Sequence, residues 1–247
     1  MVILTIALGA SVNLIAQYIP FEFETAIAES AVKNIKDAHN EVDEYLQALA
    51  DKLIVEMDLP ENMKIHLHYA NEDTVNAMST LGGHIIVYRG LLEKLPDENA
   101  LVMLLGHEMG HVKLRHPVKG LGQAIVFSLL MSVILGESSD SVANVITDSS
   151  VLTMMSFSRD QEEDSDDMGI NLVNAYYGHT QGALGLFEAL QEQQQASSVY
   201  SPEFLNSHPD TESRIKRLHQ LIEKQHWEQQ GKVRLIPENI IKKLKAD

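Results

Sequence analysis

Apolar side chains recur along this chain at intervals that switch from helical to extended and back. Over residues 22–56, Ile27, Ala31, Ile35, Ala38, Val42, Tyr45, Leu46 and Leu49 return at steps of three and four, which predicts one amphipathic helix stopped by Pro60 and Asn62. Residues 64–69 alternate instead. Ile65, Leu67 and Tyr69 fall on one face and Lys64, His66 and His68 on the other, the pattern of a strand with a solvated face. Extended runs at 76–81 and 84–89 flank Gly82-Gly83, a hairpin signal. Pro96, Asp97 and Glu98 then open a helix, with acidic residues at the end where the backbone dipole favours them. That helix runs through Leu104, Leu105, Glu108 and His111 and is expected to end near Arg115 or His116, ahead of Pro117. Helical periodicity returns over 141–155, 157–177, 181–195, 209–224 and 238–245. Many helices with one small sheet make an α+β fold.

Two stretches are apolar without amphipathic spacing. Residues 2–21 carry no charged side chain, and their length is about that needed to cross a hydrocarbon layer of ~30 Å at 1.5 Å per residue. Residues 1–21 are therefore read as a membrane anchor, although Thr5, Ser11, Asn13 and Gln17 dilute the run. A cleaved signal is the rival, but it lacks a basic start, and Gly9-Ala10-Ser11 falls early for a cleavage site. A buried core helix is the third reading. Glu22, Glu24 and Glu29 precede the first basic residue, Lys33, so the positive-inside tendency puts the rest of the chain outside the cytoplasm, in a periplasm or an equivalent space. The second run, 121–135, is short for a span and reads as a buried helix, with a lipid-contacting helix as the alternative.

Composition narrows the function. The chain has 247 residues, enough for one large domain over 22–247, and 45% of them are hydrophobic, enough for a full core. A formal net charge of −16 repels phosphate backbones, so no nucleic-acid partner is expected. Cysteine is absent, so any zinc must be held by His, Asp or Glu.

The chemistry is concentrated in His107-Glu108-Met109-Gly110-His111. Positions i and i+4 share a helix face, so both imidazoles reach one ion. Glu108, beside the first ligand and rotated off the metal face, is placed to take a proton from water at the metal and pass it to a leaving amine. The helix is otherwise apolar at Ala100, Leu101, Val102, Met103, Leu104 and Leu105, and two histidines and a glutamate are costly there without a metal. One zinc per chain is expected, and a catalytic zinc needs a third protein ligand. The run from Ser158 to Asp167 offers six carboxylates: Asp160, Glu162, Glu163, Asp164, Asp166 and Asp167. Met155, Gly169, Ile170 and Val173 mark the inward face, and Arg159, Glu162 and Asp166 lie on or beside it. Glu162 is then the third ligand, and Asp166, one turn on, accepts from a ligand imidazole and fixes its tautomer.

HEMGH followed by SRDQEEDSD resembles the M48 metallopeptidases, which carry HExxH and a later ExxxD whose glutamate is the third zinc ligand. That pattern falls on Glu162 and Asp166, with Glu162-Glu163-Asp164-Ser165-Asp166 in place of the family's usual ExEAD. Gly83 to Leu91 resembles the segment before the family's zinc helix. His111 to His116 resembles its HVxxRH continuation, and Ser207-His208-Pro209 with Arg214-Ile215 its HPxxxxRI element. The resemblance covers residues 20 to 222 and implies a mostly helical zincin-like domain in which His208 and Arg214 return to the active site. His208 would donate to the oxyanion or cap the metal, and Arg214 would hold Asp166 or orient a loop. From the residues alone, His208 is equally a helix-start residue before Pro209. His116 points away from the metal by helix phase and reads as structural, and His179 as a loop residue.

The expected activity is hydrolysis of peptide bonds in unfolded or misassembled proteins, a quality-control endopeptidase at a membrane or cell envelope. Asn76, Ala77, Met78, Ser79 and Thr80 form a strand to which an extended substrate adds, and that mode reads backbone rather than side chains. A zinc-stabilised interaction or chaperone module is the competing class, and Glu108 argues against it, since a structural zinc needs no base. A metal-dependent amidase on a non-protein substrate is the other.

Overall fold

In a computed structural model of the chain, residues 18–32, 40–135, 156–196, 203–208 and 211–246 are described. The apolar run over 2–17 and the helix expected over 141–155 lie outside them. Among the described residues no helix is long and apolar enough to cross a membrane.

The single helix expected over 22–56 is two, α1 (Phe21–Val32) and α2 (Glu41–Met57). Asn40 starts the second. Its carboxamide accepts from the Val42 and Asp43 amides, and the Asp43 carboxylate accepts from the Asn40 amide, a reciprocal cap. Three strands follow: β1 (His66–Ala70), β2 (Ala77–Ser79) and β3 (His84–Tyr88). Their order is β1-β3-β2, with β1 parallel to β3 and β2 antiparallel to it, so the expected hairpin is present. Its turn is a short 3-10 segment, Leu81–Gly83, where Gly82 and Gly83 take φ of 68° and 79°, the left-handed region that suits glycine. A Cβ on Gly83 would lie 1.9 Å from the Lys64 carbonyl oxygen.

The helices after the sheet are α3 (Arg89–Leu92), α4 (Glu98–Lys113), α5 (His116–Leu135), α6 (Arg159–Tyr177), α7 (Gly185–Ala196), α8 (Glu203–Ser207), α9 (Thr211–Gln225) and α10 (Glu238–Ala246). The Asp97 carboxylate caps α4 by accepting from the Ala100 amide at 2.8 Å. α4 is apolar all round because it is the central helix. It packs on α6 above all, and on β2, α2, α5 and α7, and Ala100 to Leu105 are fully buried. α6 lies closest to it. A Cβ on Gly110 would come 3.1 Å from the Ser165 Cα, so the two helices meet through small residues.

α4 ends earlier than Pro117 requires. Leu114 leaves helical geometry and Arg115 is left-handed at φ 59°, and the chain restarts as α5 at His116. The guanidinium of Arg115 binds the buried Glu24 carboxylate of α1 and the Ile19 carbonyl, which holds the turn. Leu121 is buried, while Ala124, Ile125 and Val126 are half-buried and Gln123 is exposed. Leu121 joins Ala28, Leu81 and Val118 in a second small apolar cluster, with Ile19, Ile27 and Ile125 against it.

Candidate metal centre

The helical repeat of α4 puts His107 and His111 one above the other, with their Nε2 atoms 3.0 Å apart. α6, pressed on α4, carries Glu162 between them: Oε2 lies 3.6 Å from His107 Nε2 and Oε1 3.4 Å from His111 Nε2. His208, just past α8, completes the group, with Nδ1 2.9 Å from Glu162 Oε1 and 3.2 Å from His107 Nε2. One ligand atom from each of the four lies within 4.8 Å of all the others, and each residue is at most 1% exposed. Ligand atoms around a tetrahedral zinc with bonds of ~2.0–2.1 Å stand about 3.3 Å apart, and the separations just given bracket that value.

The electrostatics suit a metal. Burial pushes His111 down to about 4 and lowers His107 as well, so both imidazoles are neutral at pH 7 and have a lone pair to give. Burial alone would raise the Glu162 carboxyl, but His208 and His111 outweigh it and hold Glu162 well below the usual carboxylate range. Burial disfavours a charge on His208, yet Glu162 and Glu108 together raise its pKa. As a metal ligand His208 would have to give that proton up.

A second layer fixes the first. Asp166 accepts from His107 Nδ1 at 2.9 Å, which leaves Nε2 for a metal. Arg214 grips the same carboxylate through Nε at 2.8 Å and Nη2 at 2.6 Å. Its Nη1 lies 2.9 Å from Glu162 Oε2 and donates to the His208 carbonyl at 3.2 Å. Burial opposes the Asp166 charge, and Arg214 and His107 hold the carboxyl low nonetheless.

Glu108 is fully buried, and neither carboxylate oxygen has a hydrogen-bond partner. The His208 imidazole is near, with Nε2 3.5 Å from Oε1. An unsatisfied buried carboxylate costs several kcal/mol or so unless something polar joins it. Four convergent donors beside it supply the reason: the residues present fit a metal ion with a water or substrate between metal and base.

Of the residues singled out in the sequence, the structure brings together His107, Glu108, His111, Glu162, Asp166, His208 and Arg214. Arg159 is not among them. It is the first residue of α6 and is exposed. The strand of Asn76 to Thr80 is at the sheet edge, packed on α4 and buried, with Asn76 Oδ1 and Ser79 Oγ lacking partners. His66 and His68 are half-buried rather than solvated. His68 Nε2 lies 2.8 Å from His84 Nδ1, and the His66 ring stacks on that of His84.

Three site residues escaped the sequence reading. His116 does not point away: the left-handed Arg115 breaks the helix phase and swings it back, so that its Nδ1 lies 2.8 Å from His111 Nδ1. Phe157 stacks on His111 with centroids 4.0 Å apart, and Phe204 on His208 at 4.3 Å. Phe157 directly precedes the N-cap Ser158, a weak signal; Phe204 lies on α8, too short to show a period.

The sequence model of Peptidase family M48 matches residues 40–222. Curated relatives include the mitochondrial metalloendopeptidase OMA1 of Saccharomyces cerevisiae, 25% identical over 170 residues, 66% of this chain and 49% of that protein. The β-barrel assembly-enhancing protease of Escherichia coli K12 is 26% identical over 182 residues, 70% of this chain and 37% of its own. The metalloprotease YcaL of the same organism is 27% identical over 165 residues, 64% of this chain and 61% of its own. The chain thus spans less than two thirds of each of these relatives.

Proposed function

The chain belongs to peptidase family M48, and on that premise we propose that it is a zinc-dependent endopeptidase acting on unfolded or misassembled proteins at a membrane or cell envelope. The observation that carries the proposal is Glu108, a buried carboxylate without partners, set against four convergent donors. A structural metal site has no use for such a group, whereas hydrolysis needs a base at that position.

His107, His111 and Glu162 hold the zinc, one per chain, and zinc supplies there a Lewis acid for the peptide carbonyl and a water of pKa about 7. Glu108 takes the proton of the attacking water and delivers it to the leaving amine. Asp166 keeps the His107 proton on Nδ1, and Arg214 ties Asp166, Glu162 and the His208 carbonyl into one unit. His208 caps the site at rest, because its Nδ1 lies among the other three ligand atoms where a substrate carbonyl must enter. Once displaced, its imidazole N–H is placed to donate to the oxyanion.

An extended substrate adds through its backbone to the edge of β2, along Asn76 to Thr80. Relatives named for mitochondria and for β-barrel assembly support an envelope or organelle setting, with the residues before α1 as the tether. The test is cleavage of casein and of small chromogenic amides before chelation, after it, and after zinc is restored. Casein cleavage that vanishes and returns supports the reading; cleavage of amides alone would transfer the site to the amidase class.

A further inference from the structure

His111 and His116 face each other through their Nδ1 atoms at 2.8 Å, both almost wholly buried. At that distance two ring nitrogens share one proton, since two lone pairs would repel and two N–H groups would clash. The opposite nitrogen of His111, Nε2, points at His107 Nε2 and Glu162. To serve as a zinc ligand it must carry no proton. The His111 proton then sits on Nδ1 and is donated to His116 Nδ1, and His116 keeps its own proton on Nε2.

We propose that His116 is a positioning residue that fixes the tautomer and ring orientation of His111 toward the metal. The inference rests on the zinc reading above. It completes a pair of unlike supports. His107 leans on the Asp166 carboxylate, whose charge Arg214 balances. His111 leans on a neutral imidazole, and that choice has an electrostatic reason. Glu108, Glu162 and Asp166 already put three carboxylates in this buried volume against one guanidinium. A carboxylate at 116 would add a fourth, whereas an imidazole accepts the same hydrogen bond without charge. The break at Leu114-Arg115 makes the contact possible, because an unbroken helix would carry residue 116 to another face. Ser165 Oγ, 3.5 Å from the same His116 nitrogen, is too distant to compete strongly for it.

The test compares the full chain with His116→Asn and His116→Leu. The two replacements have the same branched shape, and Asn Oδ1 can occupy the place of His Nδ1, so Asn keeps the acceptor that Leu lacks, together with an added N–H donor group. Zinc affinity is read by competition with a chromophoric chelator. The Leu variant is expected to bind about 10- to 100-fold more weakly, and the Asn variant close to wild type. In the zinc-loaded wild type, nitrogen-15 imidazole spectra are expected to show His111 protonated on Nδ1 and His116 on Nε2. Equal affinity of the Leu variant and wild type, or an Asn variant as weak as Leu, would overturn the assignment, as would His116 protonated on Nδ1. If the Leu variant does not fold, the imidazole spectra decide. A wild-type chain that binds no zinc fails differently: it removes the metal reading itself, and the His116 role with it.

Discussion

Gly106 lies directly against Gly169: a Cβ on the first would stand 2.9 Å from the Cα of the second. The reverse substitution is no easier, since a Cβ on Gly169 would stand 2.9 Å from the Met103 carbonyl oxygen. The two helix backbones touch here, and this approach lets Glu162 of α6 reach the imidazoles of α4. Gly106→Val has no flexible side chain to push aside. It is expected to destabilise the fold by about 1–3 kcal/mol and to weaken metal binding, as urea unfolding with and without zinc would measure. Unchanged stability would mean the helices are free to part.

Arg214 is 3% exposed and serves two carboxylates and a carbonyl. Removing one partner of such a buried pair leaves an uncompensated charge, so Arg214→Met should cost about 3–5 kcal/mol. Lysine offers one point charge in place of a planar fork, and Arg214→Lys should recover little of the loss. Combining Arg214→Met with Asp166→Asn should cost less than the sum of the two, because they share an interaction. Denaturant midpoints of the four proteins would show this, and strict additivity would contradict it.

The metal-free chain should be acid-sensitive over a defined window. Burial takes His111 from an ordinary 6.5 to about 4, His116 to about 2, and lowers His107 too. The unfolded chain binds protons at these sites as the pH drops below 6.5, while the folded chain resists until far lower, so acid favours unfolding. His208 has the opposite sign: its raised folded pKa gives stability that is present below 6.5 and lost as the pH rises through the folded value. Between pH 6.5 and 4 the three lowered histidines dominate, and a loss of a few kcal/mol is expected in urea midpoints. Stability that stays level across that range would show the imidazoles to be solvated.

His208→Ala separates cap from ligand. Three donors remain, so zinc should be retained, and a hydroxamate that binds the metal should bind more tightly because no side chain must be displaced. Casein turnover should fall on the order of 10²-fold, the loss of an oxyanion donor. Loss of the zinc instead would make His208 a structural ligand.

Much of the site could be read from the chain because it is written in short-range geometry. His107, Glu108 and His111 follow from one helical repeat, and Glu162 and Asp166 from another. Long-range closure could not be read this way. Nothing local ties His208 or Arg214 to residues a hundred positions earlier, and only the family resemblance placed them. Two local errors have local causes. Apolar spacing runs straight through Asn40, whose extended backbone and capping side chain nonetheless start a new helix. The helix ends close to the expected Arg115, but the chain restarts as a helix at His116, and the left-handed Arg115, held by Glu24 from another helix, returns His116 to the site.

The central claim is that Glu108 is the base beside a zinc held by its neighbours, and Glu108→Gln tests it most directly. Zinc content and casein cleavage would be measured together for the wild type and the variant. One zinc per chain in both, with cleavage reduced by about 10²-fold or more in the variant alone, is the predicted result. No zinc in the wild type, or a variant that cleaves as well as its parent, would contradict the account.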